Sequence, residues 1–169
     1  MKHAFRTLLL ATSLALSGCA ALAPPLIDVG EPEASVIAKL GRPSAVIPDG
    51  EEHLLEYTRN PWGQATYMAR IDSDGRLVSY NQVLTTATFA TIKPGISTKT
   101  DVLRTIGHPS ETSYLPRLQL EVWSYPYKEE GVWNSIMHVH FDNTGVVRKM
   151  ENGMDLRFDR DSRFGLFGN

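Results

Sequence analysis

Apolar residues recur with helical spacing at two places in the chain. In the segment VIAKLGRPS, residues 36–44, Val36, Ile37 and Leu40 form a narrow apolar stripe, and Gly41 follows it. The segment VLRTIGHPS, residues 102–110, repeats this order of apolar, glycine and proline positions. A glycine followed by a proline is typical of a helix end. We therefore predict two short helices, the second with Ser97 as its N-cap, and each must pack on other elements to be stable.

A set of strands is predicted after each helix. Apolar and aromatic runs alternate with polar positions, and an Asp-x-x-Gly turn separates the second run from the third. The first set comprises residues 54–57, 67–71 and 76–83, and the second set comprises residues 120–123, 137–141 and 146–151.

The two sets keep a constant register, which indicates an internal duplication. The helices and the first strands are separated by 66 residues, and the later strands by 70, because four residues are inserted near Lys128–Gly131. We predict an α+β fold of two tandem helix-plus-antiparallel-sheet units, residues 28–84 and 85–151. Residues 152–169 have no counterpart in the repeat and are expected to form a flexible tail.

The N-terminus has the plan of a secretory signal. Lys2 and Arg6 precede an apolar run, residues 8–16, that is too short to span a bilayer as a stable helix. Gly18 and Cys19 follow, and this stretch resembles a bacterial lipobox with cleavage before Cys19. We predict a signal peptide at residues 1–18 and lipid attachment at Cys19, so that the protein is anchored to a membrane rather than spanning it. The alternatives are an ordinary signal peptide with a chance cysteine, or an uncleaved anchor.

The residues after the signal refine this expectation. Residues 19–27 contain two prolines and are expected to form a tether. Ala20 stands where an aspartate would favour the inner membrane, so we expect the outer membrane, on its periplasmic face. Loss of Lys2 and Arg6 with the signal changes the net charge from −2 to −4, which gives no reason to expect nucleic-acid binding. Cys19 is the single cysteine, so the chain has no intrachain disulfide.

The repeated pattern resembles the SmpA/OmlA, or BamE-like, domain of outer-membrane lipoproteins. The features that carry the resemblance are a glycine, a V-x-x-x-[LI]-G-x-P helix, an aromatic strand residue and a hairpin of the type F/I-D-x-x-G. They fall at Gly30, Val36–Pro43, Tyr57 and Ile71–Gly75, and again at Gly95, Val102–Pro109, Trp123 and Phe141–Gly145. The resemblance implies a lipoprotein that binds other proteins during outer-membrane protein assembly. Tandem copies also resemble the β-lactamase-inhibitor protein in fold.

The sequence offers little for catalysis or for a cofactor. It has no nucleophile elbow and no phosphate-binding glycine loop. His138 and His140 stand two residues apart on a predicted strand, so both could ligate one metal ion. Met137, Val139 and Phe141 alternate with them and are expected to face the core, which would leave both histidines in solvent. We therefore expect no metal site, no cofactor and no enzymatic activity.

Three aromatic residues near predicted loops are candidates for binding a partner. Trp62 lies in the turn-like segment Asn60–Gly63, and Tyr127 and Trp133 bracket the longer loop of the second unit. Aromatic residues on loops often anchor partners. The alternative is that they fold over the hairpins and cover their edges.

The sequence thus favours a non-enzymatic, lipid-anchored periplasmic module that binds a protein of the cell envelope. An accessory lipoprotein of outer-membrane assembly or envelope integrity is the specific form of this hypothesis. The alternatives are an inhibitor-like module that blocks a periplasmic or cell-wall hydrolase, with Trp62 or Trp133 inserted into its cleft, and a metal-dependent activity at His138 and His140.

Overall fold

Two four-stranded antiparallel sheets and a few short helices make up the mixed α+β fold. A computed structural model describes residues 26–59 and 63–158. The first unit, as named here, consists of α1 and strands β1 to β4, and the second of α3 and strands β5 to β8. The elements are α1 (Glu33–Leu40), β1 (Ala45–Asp49), β2 (Glu52–Arg59), β3 (Ala65–Ile71), β4 (Leu77–Gln82), α2 (Thr86–Phe89), α3 (Lys99–Ile106), β5 (Glu111–Leu115), β6 (Leu120–Glu129), β7 (Trp133–Phe141), β8 (Val147–Met154) and a final 3-10 helix (Leu156–Phe158).

Each sheet is a simple meander in which consecutive strands are neighbours. Both sheets have an irregularity at the same place in the third strand, between Arg70 and Ile71 and between His140 and Phe141. The hydrogen bonds that tie each helix start to the last hairpin also correspond. They are Glu33 N–H to Gly75 O and Lys99 N–H to Gly145 O, both 2.9 Å, and Leu77 N–H to Glu31 O and Val147 N–H to Ser97 O, both 2.8 Å.

The two main helices begin differently and end alike. Thr98 caps α3 in a reciprocal capping box with Asp101, so the predicted cap at Ser97 is wrong by one residue. The cap of α1 is Pro32, whose side chain has no atom that can accept a hydrogen bond. Gly41 and Gly107 end the helices with φ of 84° and 81°, a conformation that favours glycine.

The core is layered, and α3 lies between the two sheets. Val36 of α1 packs on the face of the first sheet that carries Leu55 and Ile71. Leu103 of α3 packs on the opposite face of that sheet, on the cluster of Ile47, Leu54, Met68 and Val83. Val102 and Ile106 of α3 point into the second sheet, where the cluster includes Trp123, Tyr125, Val139 and Phe141. The layers therefore follow in the order α1, first sheet, α3, second sheet.

Burial was expected at four helix positions, Val36, Leu40, Val102 and Ile106, and it is confirmed at three of them. Val36, Val102 and Ile106 have no exposed surface, whereas Leu40 is only partly buried.

Strands β1 and β5 were not predicted, and β8 continues to Met154, beyond the boundary expected at residue 151. The four inserted residues lengthen one hairpin: β6 and β7 have 10 and 9 residues, whereas β2 and β3 have 8 and 7. Within the described ranges, no helix is long and apolar enough to cross a membrane.

Candidate protein-binding surface

The lengthened hairpin of the second sheet exposes large apolar side chains at one end of the molecule. Val132 and Trp133 stand at its tip, and Met154 and Leu156 follow at the end of β8 and beyond it. All four side chains are about two-thirds exposed: Val132 65%, Trp133 69%, Met154 67% and Leu156 68%. We call these four residues the hairpin patch. Trp133 and Met154 also line one groove, and exposed apolar side chains that lie together are typical of interaction surfaces.

A tight turn explains why Trp133 is held away from the core. Glu130 and Gly131 have φ of 49° and 72°, and Val132 N–H donates to Glu129 O at 3.0 Å. The turn ends β6 and starts β7 at Trp133, which pairs with Glu129. Trp133 therefore begins a strand at the tip of the hairpin, where no neighbouring layer reaches it in the described ranges.

A groove of about 460 Å³ runs beside the hairpin patch. Its lining includes Trp133, Met154 and Phe158, with Glu129 at its polar side. Hydrogen bonds from Ser135 Oγ at 2.7 Å and from the Asn152 side chain at 3.0 Å hold the Glu129 carboxylate and lower its pKa. An apolar surface with one fixed carboxylate beside it suits a partner that brings an apolar side chain and a hydrogen-bond donor.

The three aromatic residues that were proposed from the sequence as partner-binding residues have different outcomes in the structure. Trp133 is exposed in the hairpin patch, as a partner-binding residue must be. Tyr127 lies inside β6 with no exposed surface, and its ring packs edge-on against Phe89 at a centroid distance of 4.9 Å. The prediction of Tyr127 as a surface residue is therefore wrong, because the inserted residues extend the strand past it. Trp62 lies outside the described residues.

The two histidines share a face of β7 but not the same surroundings. His138 is partly exposed, and its Nδ1 lies 2.9 Å from Ser124 Oγ. His140 is 5% exposed, which contradicts the expectation that it faces solvent. Its Nε2 lies 2.9 Å from Glu151 Oε2. Burial, with Lys149 nearby, lowers the pKa of His140 despite the attraction of Glu151. No group of three or more potential metal ligands occurs in residues 26–59 and 63–158.

A buried carboxylate that the sequence analysis missed joins the two units. Glu56 of β2 is 1% exposed and projects toward the loop after α3. Its Oε2 lies 2.7 Å from His108 Nδ1 and accepts the His108 backbone N–H at 3.2 Å. A Cβ at Gly107 would lie 2.9 Å from the carboxyl carbon of Glu56, so a larger residue would require this side chain to move. The signal was present in the sequence, because Glu56 interrupts the apolar run Leu54–Tyr57 at a position where the second copy has Val122.

Tyr125 completes this junction from the second sheet. Its hydroxyl donates to Gly107 O at 3.1 Å, and burial together with the nearby Glu56 charge raises the pKa of Tyr125. A cavity of about 290 Å³ borders the same groups and is also lined by Thr58, Thr66 and Ser110. Because Glu56 and Tyr125 both bind the segment Gly107–His108, their geometry fixes the end of α3 against both sheets.

Comparison with known proteins gives one family match. No curated protein matches the chain at a significant level. The crystal structure of a DUF4309 family protein (YjgB) from Bacillus subtilis aligns with 79% of this chain and 84% of its own, at 14% identity and a TM-score of 0.32. Residues 81–151, which include α2, α3 and strands β5 to β7, match the family model described as the outer membrane protein assembly factor BamE domain.

Proposed function

We propose that this protein is a non-enzymatic, lipid-anchored accessory protein of outer-membrane protein assembly or envelope integrity, which acts by binding a protein partner. The match of residues 81–151 to the BamE domain carries the proposal. Cys19 would hold the chain at the periplasmic face of the outer membrane through its lipid. This anchor rests on the sequence, since residues 1–25 lie outside the described ranges.

We also propose that the first unit is a second, diverged copy of the same domain. The support is the shared order of one helix and a four-strand meander, with an irregularity at the same point of the third strand. The corresponding hydrogen bonds between helix start and hairpin add to it, because their residue pairs differ by the same 66 and 70 positions as the sequence repeat.

The hairpin patch is the surface that we assign to the partner. Trp133 is its largest residue, and exposed tryptophans are common among the few residues that dominate binding energy. Val132 and Trp133 lie in the part of the chain that matches the BamE domain, on the hairpin that the insertion lengthens, and Met154 and Leu156 lie just beyond that part. A partner in the assembly machinery would bury Trp133 against its own apolar surface.

A crosslinking experiment in intact cells tests this function. A photo-activated crosslinker replaces Val132, beside Trp133, and proteins joined to the chain are identified by mass spectrometry. The expected product contains a component of the outer-membrane protein assembly machinery. Recovery only of a soluble hydrolase, or no product, would contradict the proposal.

Substitution of Trp133 then measures how much this residue contributes to the affinity for the partner. Trp133→Ala should weaken partner binding about thirtyfold, which corresponds to about 2 kcal/mol, and leave thermal unfolding nearly unchanged. Tyr114→Ala is the matched control, because Tyr114 is 59% exposed on β5, outside the hairpin patch. Equal losses from the two variants would argue against a binding role for this patch.

Cys19→Ser should abolish acyl labelling and release the protein from the membrane.

A further inference from the structure

The cavity of about 290 Å³ beside Glu56 has a buried floor and an exposed rim. We call it the junction cavity, because residues of both units line it. The residues of its floor are at most 2% exposed: Glu56, Thr66, Leu84 and Tyr125. Its rim is polar and includes the exposed residues Thr58 and His108. A small molecule can therefore enter from the rim and reach polar groups that are shielded from water.

The two oxygens of the Glu56 carboxylate are bound unequally. Oε2 lies 2.7 Å from His108 Nδ1 and also accepts the His108 backbone N–H at 3.2 Å. Within the described residues, Oε1 has only longer contacts, with the same N–H at 3.3 Å and with the Thr58 hydroxyl at 3.4 Å. Strong N–H hydrogen bonds to a carboxylate are about 2.7–2.9 Å long. Oε1 can therefore accept a further, stronger hydrogen bond.

The charges around the junction cavity favour a positively charged donor at Oε1. Glu56 is the only carboxylate among the described lining residues, and none of them is a lysine or an arginine. A carboxylate that is removed from water is unfavourable unless hydrogen-bond donors or a positive charge compensate it. His108 binds one oxygen from the rim of the cavity. A cation with N–H donors would compensate the other oxygen.

We propose that the junction cavity binds a small organic primary amine in its ammonium form. An ammonium group has three N–H donors, and Glu56 Oε1 accepts one of them. The hydroxyl oxygens of Thr66 and Tyr125 on the same floor are acceptors for the other two. The Tyr125 hydroxyl donates its hydrogen to Gly107 O, so its oxygen is left to accept. Leu84 supplies an apolar contact for the carbon chain of the amine.

Binding at this place would link the ligand to the junction between the two units. Glu56 and Thr66 belong to the first sheet, whereas Tyr125 belongs to the second. A ligand that binds only the folded arrangement stabilises it in proportion to its concentration and affinity. The site is separate from the hairpin patch, so this inference does not depend on the proposed partner.

Titration of the full chain with propylammonium tests the site. The probe should shift the amide NMR signals of Gly107, His108 and Ser110 to saturation and raise the midpoint of thermal unfolding. Propanol keeps the carbon chain without the charge, and trimethylpropylammonium keeps the charge without an N–H donor. Each of these controls should bind at least about tenfold more weakly. Equal binding of the three probes, or shifts that do not saturate, would overturn the proposal.

Two variants locate the ammonium group in the junction cavity. Glu56→Gln keeps the shape of the side chain but removes its charge, and should weaken propylammonium binding about tenfold. Glu52→Gln is the matched control, because Glu52 lies on the same strand but binds Arg70. Thr66→Val removes one acceptor and should weaken binding about threefold, which tests the site even if Glu56→Gln does not fold. Unchanged affinity in either folded variant, or equal losses in Glu56→Gln and Glu52→Gln, would overturn the proposal.

Discussion

Helices α1 and α3 each precede a four-stranded meander but differ in how many sheets they contact. Helix α1 packs on the first sheet through Val36, its only fully buried residue. Helix α3 buries Val102 and Ile106 toward the second sheet and places Leu103 on the first. Helix α3 therefore has a contact that α1 lacks. It joins the two units through a shared layer rather than through a linker alone.

The largest expected difference between the two helices follows from burial. Ile106→Asp places a carboxylate in a site with no exposed surface, and the loss should be about 3–5 kcal/mol of the free energy of unfolding. Leu40→Asp, at the equivalent position of α1, should cost about half as much because Leu40 is only partly buried. Urea unfolding followed by circular dichroism measures both values. Equal losses would mean that α3 has no greater structural importance than α1.

The helix-ending glycines provide a closer comparison. Gly41 and Gly107 share a conformation that favours glycine, with φ of 84° and 81° and extended ψ. Each change to alanine should cost about 1–3 kcal/mol through backbone strain. Gly107→Ala should cost more, because its Cβ would lie 2.9 Å from the Glu56 carboxyl carbon, whereas nothing lies within 4 Å at Gly41.

The double variant Glu56→Ala with Gly107→Ala isolates this contact. If the Cβ of residue 107 meets Glu56, the strain of Gly107→Ala should shrink toward that of Gly41→Ala once Glu56 is truncated. Thermodynamic coupling close to zero in this cycle would show that the approach is not tight in solution.

A smaller effect is expected at the helix starts. Thr98→Ala should destabilise the second unit by about 1 kcal/mol, because it removes the capping box with Asp101. Thr98→Ser keeps the hydroxyl group and should restore most of the loss. Amide hydrogen exchange in the first turn of α3 provides the local measurement, and unchanged exchange in Thr98→Ala would contradict the assignment of this cap. In α1 the corresponding residue, Pro32, has no side-chain cap to lose.

The smallest effect distinguishes the sheets by pH. His140 has a pKa below 6.5 in the folded protein, through burial and Lys149, against the opposing attraction of Glu151; His138 also lies nearby and lowers it further. The stability that this group contributes is therefore present above pH 6.5 and is lost as the pH falls through the lower folded-state value.

The variant His140→Gln measures that contribution. Its free energy of unfolding should fall less than that of the parent protein between pH 7.5 and 5.5, and an identical fall would contradict burial of His140. The first sheet has Arg70 at this position, which pairs with Asp49 at 2.8 Å and with Glu52 at 2.6 Å. Arginine keeps its charge throughout this range, so this position of the first sheet gives no equivalent response.

Local spacing in the sequence was enough to predict the two main helices, α1 and α3, most strands and the Asp-x-x-Gly turns, because these depend on neighbouring residues. Strands β1 and β5 were missed for a physical reason. They are edge strands, one with Pro48 within it and the other polar and exposed, so they lack the alternation that marks a half-buried strand.

The candidate site was predictable only in part. Trp133 follows a turn that contains charged residues and a glycine, and a side chain next to such a turn is expected to be exposed. Tyr127 gives the same local signal, but strand length, which depends on the partner strand, places it in the core. The contacts of Glu56 with His108 join two layers, and the burial of His140 depends on residues outside β7. The spacing of residues within one unit cannot predict contacts of this kind.

The position of α3 also has a consequence for synthesis. A chain that is made from its N-terminus completes β1 to β4 before α3 appears, so Leu54, Met68 and the Glu56 carboxylate initially have no second layer over them. The nascent first sheet therefore presents an apolar face with a charged group for as long as the next 24 residues, from position 83 to position 106, take to emerge. A delay before residue 99 emerges would prolong the period in which this face can bind a chaperone or aggregate.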